Sequence, residues 1–378
     1  MINLPHEFCV VVGSGISGST AARLLAEAGY SVVLYESRKH IAGNCYDYLN
    51  HEGLFVQPYG PHIFHTNDIN VWNFLGHFTE WKSYVHKVLA FIEDGTLLPF
   101  PINLDTLSIL MNRDFSSAEM ATFLDSEISK SEYTLPPKNF RDQVVSQVGQ
   151  RLYSIFFEHY TEKQWGRDPE QLSSEVAKRI PLRFNHDNRY FTDQYQGIPR
   201  KGFSEMIQRM LDHPRIKVYL EHDYFFVNKS FNRPLLTVFT GELDRFFQYR
   251  FGKLEYRSLK MKIVTLDKER HQPVAVVNYP GKEPWTRITE FKHFYGQKNL
   301  KTTLCYEFPL AEGHPYYVVY SEENLAKRSQ YIEQVNILER AGAHLFCGRL
   351  AEYRYYNMDQ AIASVMSKVG EWLNKRRV

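Results

Sequence analysis

The chain has 378 residues, more than one ordinary domain encloses around a single core. Its 45 basic residues against 43 acidic ones leave a net charge of +2, so no general field draws it to nucleic acid and any anion must be recognised locally. Hydrophobic residues at 43% and charged residues at 23% exclude a disordered chain, and four scattered cysteines show neither disulfide nor zinc spacing.

In chain order, the short polar stretch from Met1 to Phe8 leaves no room for a leader, so a cytoplasmic protein is expected. Cys9-Val10-Val11-Val12 reads as a strand buried on both faces. Gly13-Ser14-Gly15-Ile16-Ser17-Gly18 follows, then a helix with Ala22, Leu25 and Ala26 on one face, stopped at Gly29. Ser31 to Tyr35 makes a second strand and Glu36 stands at its end, eighteen residues after Gly18. This β-α-β unit predicts dinucleotide binding. Gly13 permits the tight turn, Gly15 lets the backbone approach a pyrophosphate, and Gly18 lets helix and strand pack closely. The helix N-terminus offers N–H groups to the phosphates, and Glu36 is placed to accept from a ribose hydroxyl. Arg38 and the following Ile41-Ala42-Gly43-Asn44 resemble the extension of this fold specific to FAD, with Ala42 where a glycine is usual.

Tyr84 to Ile92 and Leu97 to Phe100 read as a hairpin turning at Asp94-Gly95. Residues 106–172 carry helical spacing, including Leu107, Leu110 and Met111, then Val144, Val145 and Val148. Phe203 to Leu211 reads as a helix, and 216–220, 235–239 and 344–347 read as late strands of the nucleotide-binding sheet, before a last helix from about Asp359 to Asn374. Residues 254–310 alternate as strands. No apolar run reaches the roughly 18 residues of a membrane helix, so no membrane span is expected. The expected fold is α/β: a Rossmann-like FAD-binding domain from 1–79, 197–250 and 321–378, a helical domain at 106–172, and an antiparallel β-sheet substrate domain from 80–105, 173–196 and 251–320.

Five further segments are rich in chemistry: Tyr59 to Asn67, Tyr160 to Gly166, Lys178-Arg179-Ile180-Pro181, Phe251 to Leu259, and Gly348 to Tyr353. Taken alone, Tyr160 and Trp165 beside Phe156 and Phe157 could be core or a stacking platform, and any single arginine could be a solvated charge. His62 and His65 lack a third metal ligand. As an ordered set reaching from residue 9 to about 365, the segments closely resemble the bacterial UDP-galactopyranose mutases. The resemblance implies an isomerase that binds FAD, active when reduced, and a UDP-sugar, as a homodimer serving cell-surface polysaccharide synthesis.

It also implies residue roles. Arg179 and Arg287 would hold the diphosphate as catalytic groups, the first on a closing loop. Tyr190, Tyr317 and Tyr355 would hydrogen-bond it, with a one-residue ambiguity at the pairs 316–317 and 355–356. Phe156, Phe157, Tyr160, Thr161 and Trp165 would take the uracil and sugar, with His86 beside them. His62 and His65 would lie against the flavin as further catalytic groups. Cofactor contacts would come from Gly13, Ser14, Gly15, Ser17, Gly18, Glu36, Ser37, Arg38, Gly43, Asn44, His62, Gly241, Arg349 and Met358. Asn357 stands where many members have Asp, so a role needing charge there is open.

Pyranose-to-furanose exchange is redox-neutral, and the sequence shows no triad, reactive thiol or carboxylate pair to attack C1. The family chemistry instead implies an adduct between flavin N5 and sugar C1. Alternatives are a mutase for another UDP-hexopyranose such as UDP-N-acetylgalactosamine, a flavin oxidase or dehydrogenase, and a non-enzymatic UDP-sugar sensor.

Overall fold

The computed structural model describes residues 7–179, 181–227 and 233–376, excluding the side chains of 178 and 179. At its centre lies a five-stranded parallel sheet in the order Ile216–Tyr219, Ser31–Tyr35, Phe8–Val12, Leu236–Phe239, His344–Phe346. Alternation along the central strand divides two cores. Cys9 and Val11 face Leu25, Phe203 and Val365, whereas Phe8, Val10 and Val12 face Leu243, Tyr331 and Val335. The first face is covered by the helices Ile16–Glu27, Phe203–Leu211 and Met358–Asn374. Every strand of this sheet points its C-terminal end the same way, which puts the first glycine turn at the ligand edge.

A seven-stranded sheet forms the second layer, in the order Tyr317–Val318, Tyr256–Leu266, Thr302–Leu310, Arg287–Glu290, Val276–Asn278, Val88–Phe91, Leu97–Phe100. Its junctions are antiparallel except one, where Val276–Asn278 runs parallel to Val88–Phe91. The hairpin turns at Asp94-Gly95, with Gly95 at φ +87°. Its first strand begins at Val88 rather than Tyr84: the C=O of His86 is taken by the N–H of Tyr190 at 2.7 Å instead of by the ladder.

Four helices, Leu104–Met111, Ser117–Ser129, Phe140–Phe156 and Glu158–Trp165, pack against this sheet. Asn103, Ser116 and Asn139 accept from first-turn N–H groups and so set where the first three begin. Ala90 and Leu98 of the hairpin share a core with Leu107, Val145 and Phe156, which fixes the helices to the sheet. The helix Glu322–Arg340, unanticipated from sequence, buries only Asn324, Tyr331 and Val335, so its periodic signal is weak. Among the described residues no helix is long and apolar enough to cross a membrane.

Candidate functional site

The first glycine turn is a cradle with one open side. A Cβ on Gly18 would lie 1.9 Å from the carbonyl oxygen of Gly13, so backbone meets backbone there and only glycine fits. Around Gly15 the same construction meets nothing nearer than Gly43 Cα at 3.9 Å. The helix Ile16–Glu27 starts at Gly15 with no side chain capping it, which leaves first-turn N–H groups available to an anion. Glu36 is buried and already engaged: one carboxylate oxygen accepts from Ser14 N–H and Oγ at 2.9 and 2.7 Å, the other from Arg38 N–H at 2.9 Å and Ser37 Oγ at 3.4 Å. These four donors use the carboxylate's acceptor sites, and the long contact from Ser37 Oγ is the one a ribose hydroxyl would displace.

Ala42 adopts φ +74°, the left-handed conformation its usual glycine would take freely, and Gly43 follows at φ +54°. Arg38 donates from Nη2 to Asn44 Oδ1 at 2.9 Å, while its buried Nη1 has no partner. That orphaned donor, the uncapped helix and the open face of Gly15 fit the phosphates and ribose of a dinucleotide. Two more strand ends close around it. Gly348 packs on Ser17 Oγ, and a Cβ on Gly241 would strike the Phe239 ring at 2.8 Å. Arg349 donates to the carbonyls of Tyr316 and Tyr356, and Cys45 Sγ meets Met358 Sδ at 3.6 Å.

Beside this cradle lies a cavity of about 690 Å³, and nearly all the substrate residues expected from sequence line it. Phe156, Phe157, Tyr160, Thr161 and Trp165 form one wall, with Tyr190, Arg287, Tyr317 and Tyr355 next to it. The rest of the lining includes His62, His65, His86, Asn44, Arg349 and Met358. Tyr317 and Tyr316 both line the cavity, whereas of the second pair only Tyr355 does. The side chain of Arg179 lies outside the described residues. Arg287 donates from Nη2 to Tyr160 Oη at 2.9 Å, joining platform to guanidinium.

Arg287 sits opposite Glu307 across the antiparallel ladder, with Nε 3.4 Å from Glu307 Oε2. Glu307 is fully buried and Arg287 half-buried. Arg287 Nε and Glu307 Oε1 nevertheless make no hydrogen bond, so the pair keeps capacity for a ligand. Burial pushes the Glu307 carboxyl above the usual range, and Arg287 pulls the other way. Burial, then the charges of Arg287 and His65, push His86 down to about 3. Burial pushes His62 down to about 4, so it is a neutral ring whose Nδ1–H donates to the Gly60 carbonyl at 2.9 Å.

Several residues here gave no sequence signal. Glu307 lies on an alternating strand, where a charge normally marks the solvent face. Asp193, which holds His65, sits in a polar loop. Lys163 lies within a motif but reads as a surface helix charge. In the fold its ammonium donates to the carbonyls of Tyr279, Glu283 and Trp285 at 2.7, 2.8 and 3.1 Å, pinning the loop that leads into Arg287. Burial brings its pKa down to about 8.

Comparison with known proteins sets this site in context. Residues 155–355 match the profile of the UDP-galactopyranose mutase family, and residues 11–78 match an NAD(P)-binding Rossmann-like domain. The chain is 35% identical over 371 residues to a probable UDP-galactopyranose mutase of Klebsiella pneumoniae, covering 97% of this chain and 94% of that protein. It is 36% identical over 371 residues to a dTDP-fucopyranose mutase of Escherichia coli, covering 93% and 95% respectively. A crystal structure of reduced UDP-galactopyranose mutase shares the fold at a TM-score of 0.78 and 16% identity, over 98% of this chain and 95% of that one. With its dinucleotide cradle opening onto a cavity of matching residues, this chain belongs to the UDP-galactopyranose mutase family of isomerases.

Proposed function

We propose that the protein binds FAD and, with the flavin reduced, interconverts UDP-galactopyranose and UDP-galactofuranose without net redox change. The observation that carries this reading is one cavity lined together by an aromatic platform, the half-buried Arg287, and Asn44, Arg349 and Met358 from beside the nucleotide cradle. When bound, reduced FAD supplies the nucleophilic chemistry at C1 that the chain's own side chains lack. The protein supplies position and charge. Tyr160, Phe156 and Phe157 offer flat apolar faces to the base. Arg287, with Arg179 from the preceding segment, meets the diphosphate as the C1–O bond breaks and its electrons leave with phosphate. Tyr190, Tyr317 and Tyr355 donate to the same oxygens, and Arg287 spans base and diphosphate through Tyr160. His62 stays neutral and orients ligand atoms at the flavin-facing loop.

The expected organisation is a cofactor domain from 1–79, 197–250 and 321–378, a helical domain at 106–172, and a substrate domain from the rest, in a cytoplasmic homodimer. A second substrate reading is favoured by one observation, the full-length similarity to a dTDP-fucopyranose mutase. The test uses purified protein reduced with dithionite and incubated in parallel with UDP-galactose and dTDP-fucose, with products resolved by chromatography. Furanose product from UDP-galactose supports the first reading. Product from dTDP-fucose alone moves the assignment to the second, and product from neither overturns both.

A further inference from the structure

Three histidines line the cavity, and their hydrogen bonds differ in kind. His62 Nδ1 meets a carbonyl, that of Gly60, at 2.9 Å, and His86 Nδ1 meets the Tyr84 hydroxyl at 3.3 Å. Neither partner carries charge. His65 Nδ1 lies 2.9 Å from Asp193 Oδ2, and the other oxygen of Asp193 accepts from Asn67 Nδ2 at 2.9 Å. A carboxylate only accepts, so the shared proton sits on Nδ1 and Nε2 is the nitrogen left over. Nε2 makes no hydrogen bond among the described residues. The imidazole stacks on Phe191 at 3.6 Å between centroids and 14° between planes, which restrains its rotation.

Position points to the sugar. His65 follows the Gly60-Pro61-His62 turn by three residues, and its charge reaches His86, which in turn feels Arg287. A ligand with its diphosphate on Arg287 and its anomeric carbon toward the cofactor end must place its hexose between them. The reaction there has a proton requirement. In passing from pyranose to furanose, the C1–O5 bond breaks and O5 becomes a hydroxyl, while O4 loses its proton as the C1–O4 bond forms. No electrons are gained or lost, and one proton moves from O4 to O5.

We propose that His65, held and charge-balanced by Asp193, carries that proton. This rests on the isomerase reading above. The imidazolium donates from Nε2 to O5 as the ring opens, and the freed Nε2 accepts the O4 proton as the new ring closes. The pair thus returns to its starting state each turnover, in either direction. Asp193 acts as a positioning residue that stabilises the imidazolium and aims its ring. The other ionisable groups around this pair are His86 and Arg287 toward the diphosphate and Arg183, whose guanidinium is tied to the Asp187, Arg189 and Tyr190 carbonyls.

The test uses the reduced holoenzyme. His65→Ala should lower kcat about a hundredfold, with flavin content and UDP affinity, read by fluorescence quenching, within about twofold of the parent. Added imidazole should restore at least about a tenth of the lost rate, which a structural defect would not allow. Asp193→Asn should lower kcat about tenfold and add nothing further in the His65→Ala background. A loss that imidazole does not relieve, a matching loss of UDP affinity, or additive effects of the two substitutions overturns the proposal. Loss of turnover by Glu307→Gln with His65→Ala unimpaired assigns the proton to Glu307 instead. A wild-type holoenzyme that isomerises no nucleotide hexose defeats the isomerase reading itself, and this proposal falls with it.

Discussion

The two ends of the cavity are built by opposite means. The aromatic wall comes from one stretch, residues 156–165, where the end of Phe140–Phe156 and the helix Glu158–Trp165 present Phe156, Phe157, Tyr160, Thr161 and Trp165 to the same space. The charged end is assembled from the 60–65 turn, His86, the 190–193 loop, the facing strands of Arg287 and Glu307, and Arg349. A local wall needs only its helix to form. A gathered one needs sheet register, because a one-residue slip would turn Arg287 and Glu307 to the opposite face. The aromatic wall should therefore govern affinity and tolerate change, whereas the gathered end should govern rate and tolerate little.

Among the groups expected to hold the nucleotide, the largest effect should come from Arg287→Ala, which removes the guanidinium and leaves Glu307 buried without its counter-charge. We expect kcat/KM to fall at least about tenfold, or roughly 1.4 kcal/mol, with most of the fall in kcat. Lysine should rescue only part, since an ammonium cannot reproduce the fork. Steady-state assays of both variants check this, and a purely KM effect would erase the contrast between the two ends. Tyr160→Ala should raise KM about tenfold with kcat held within about threefold, as loss of uniform binding requires. Tyr160→Phe keeps the ring and loses only the hydroxyl that accepts from Arg287, so about threefold in kcat is expected.

Stability sharpens the same contrast. Buried His86 and half-buried His62 are held neutral, with pKa values of about 3 and 4 against 6.5 when unfolded. The unfolded chain therefore binds more protons between those values, and the melting temperature should fall as pH drops from about 7 toward 4. His86→Gln should flatten that fall. An unchanged slope would remove His86 from the account. Lys163→Met leaves three carbonyls without their donor and should cost about 1–2 kcal/mol of stability, seen as a melting point lower by a few degrees. It links the two ends, since Lys163 stands on the aromatic helix and pins the loop before Arg287.

Much of this was legible before folding, for reasons that can be traced. The glycine turn, the two flanking strands and Glu36 are contiguous, so their spacing alone predicts the cradle. The aromatic wall is contiguous too. Arg287, Tyr317 and Tyr355 were found only through resemblance, because nothing in an alternating strand or a tyrosine pair says which cavity it will line. Glu307 and Asp193 were missed altogether. Each gains its meaning from a partner that only folding brings close, Arg287 on the neighbouring strand and His65 in hydrogen-bond contact. The helix Glu322–Arg340 escaped because it buries so few residues that no apolar stripe marks it.

The central claim is a redox-neutral isomerisation that needs reduced flavin, and one experiment meets it directly. Anaerobic protein, reduced once and freed of excess dithionite, is given UDP-galactose in large excess, and furanose product is counted against flavin and against any loss of reducing equivalents. An oxidised sample runs beside it. The account predicts many product molecules per flavin, a flavin still reduced at the end, and no turnover in the oxidised sample. Product limited to one equivalent per flavin, oxidised sugar, or full activity without reduction would contradict it.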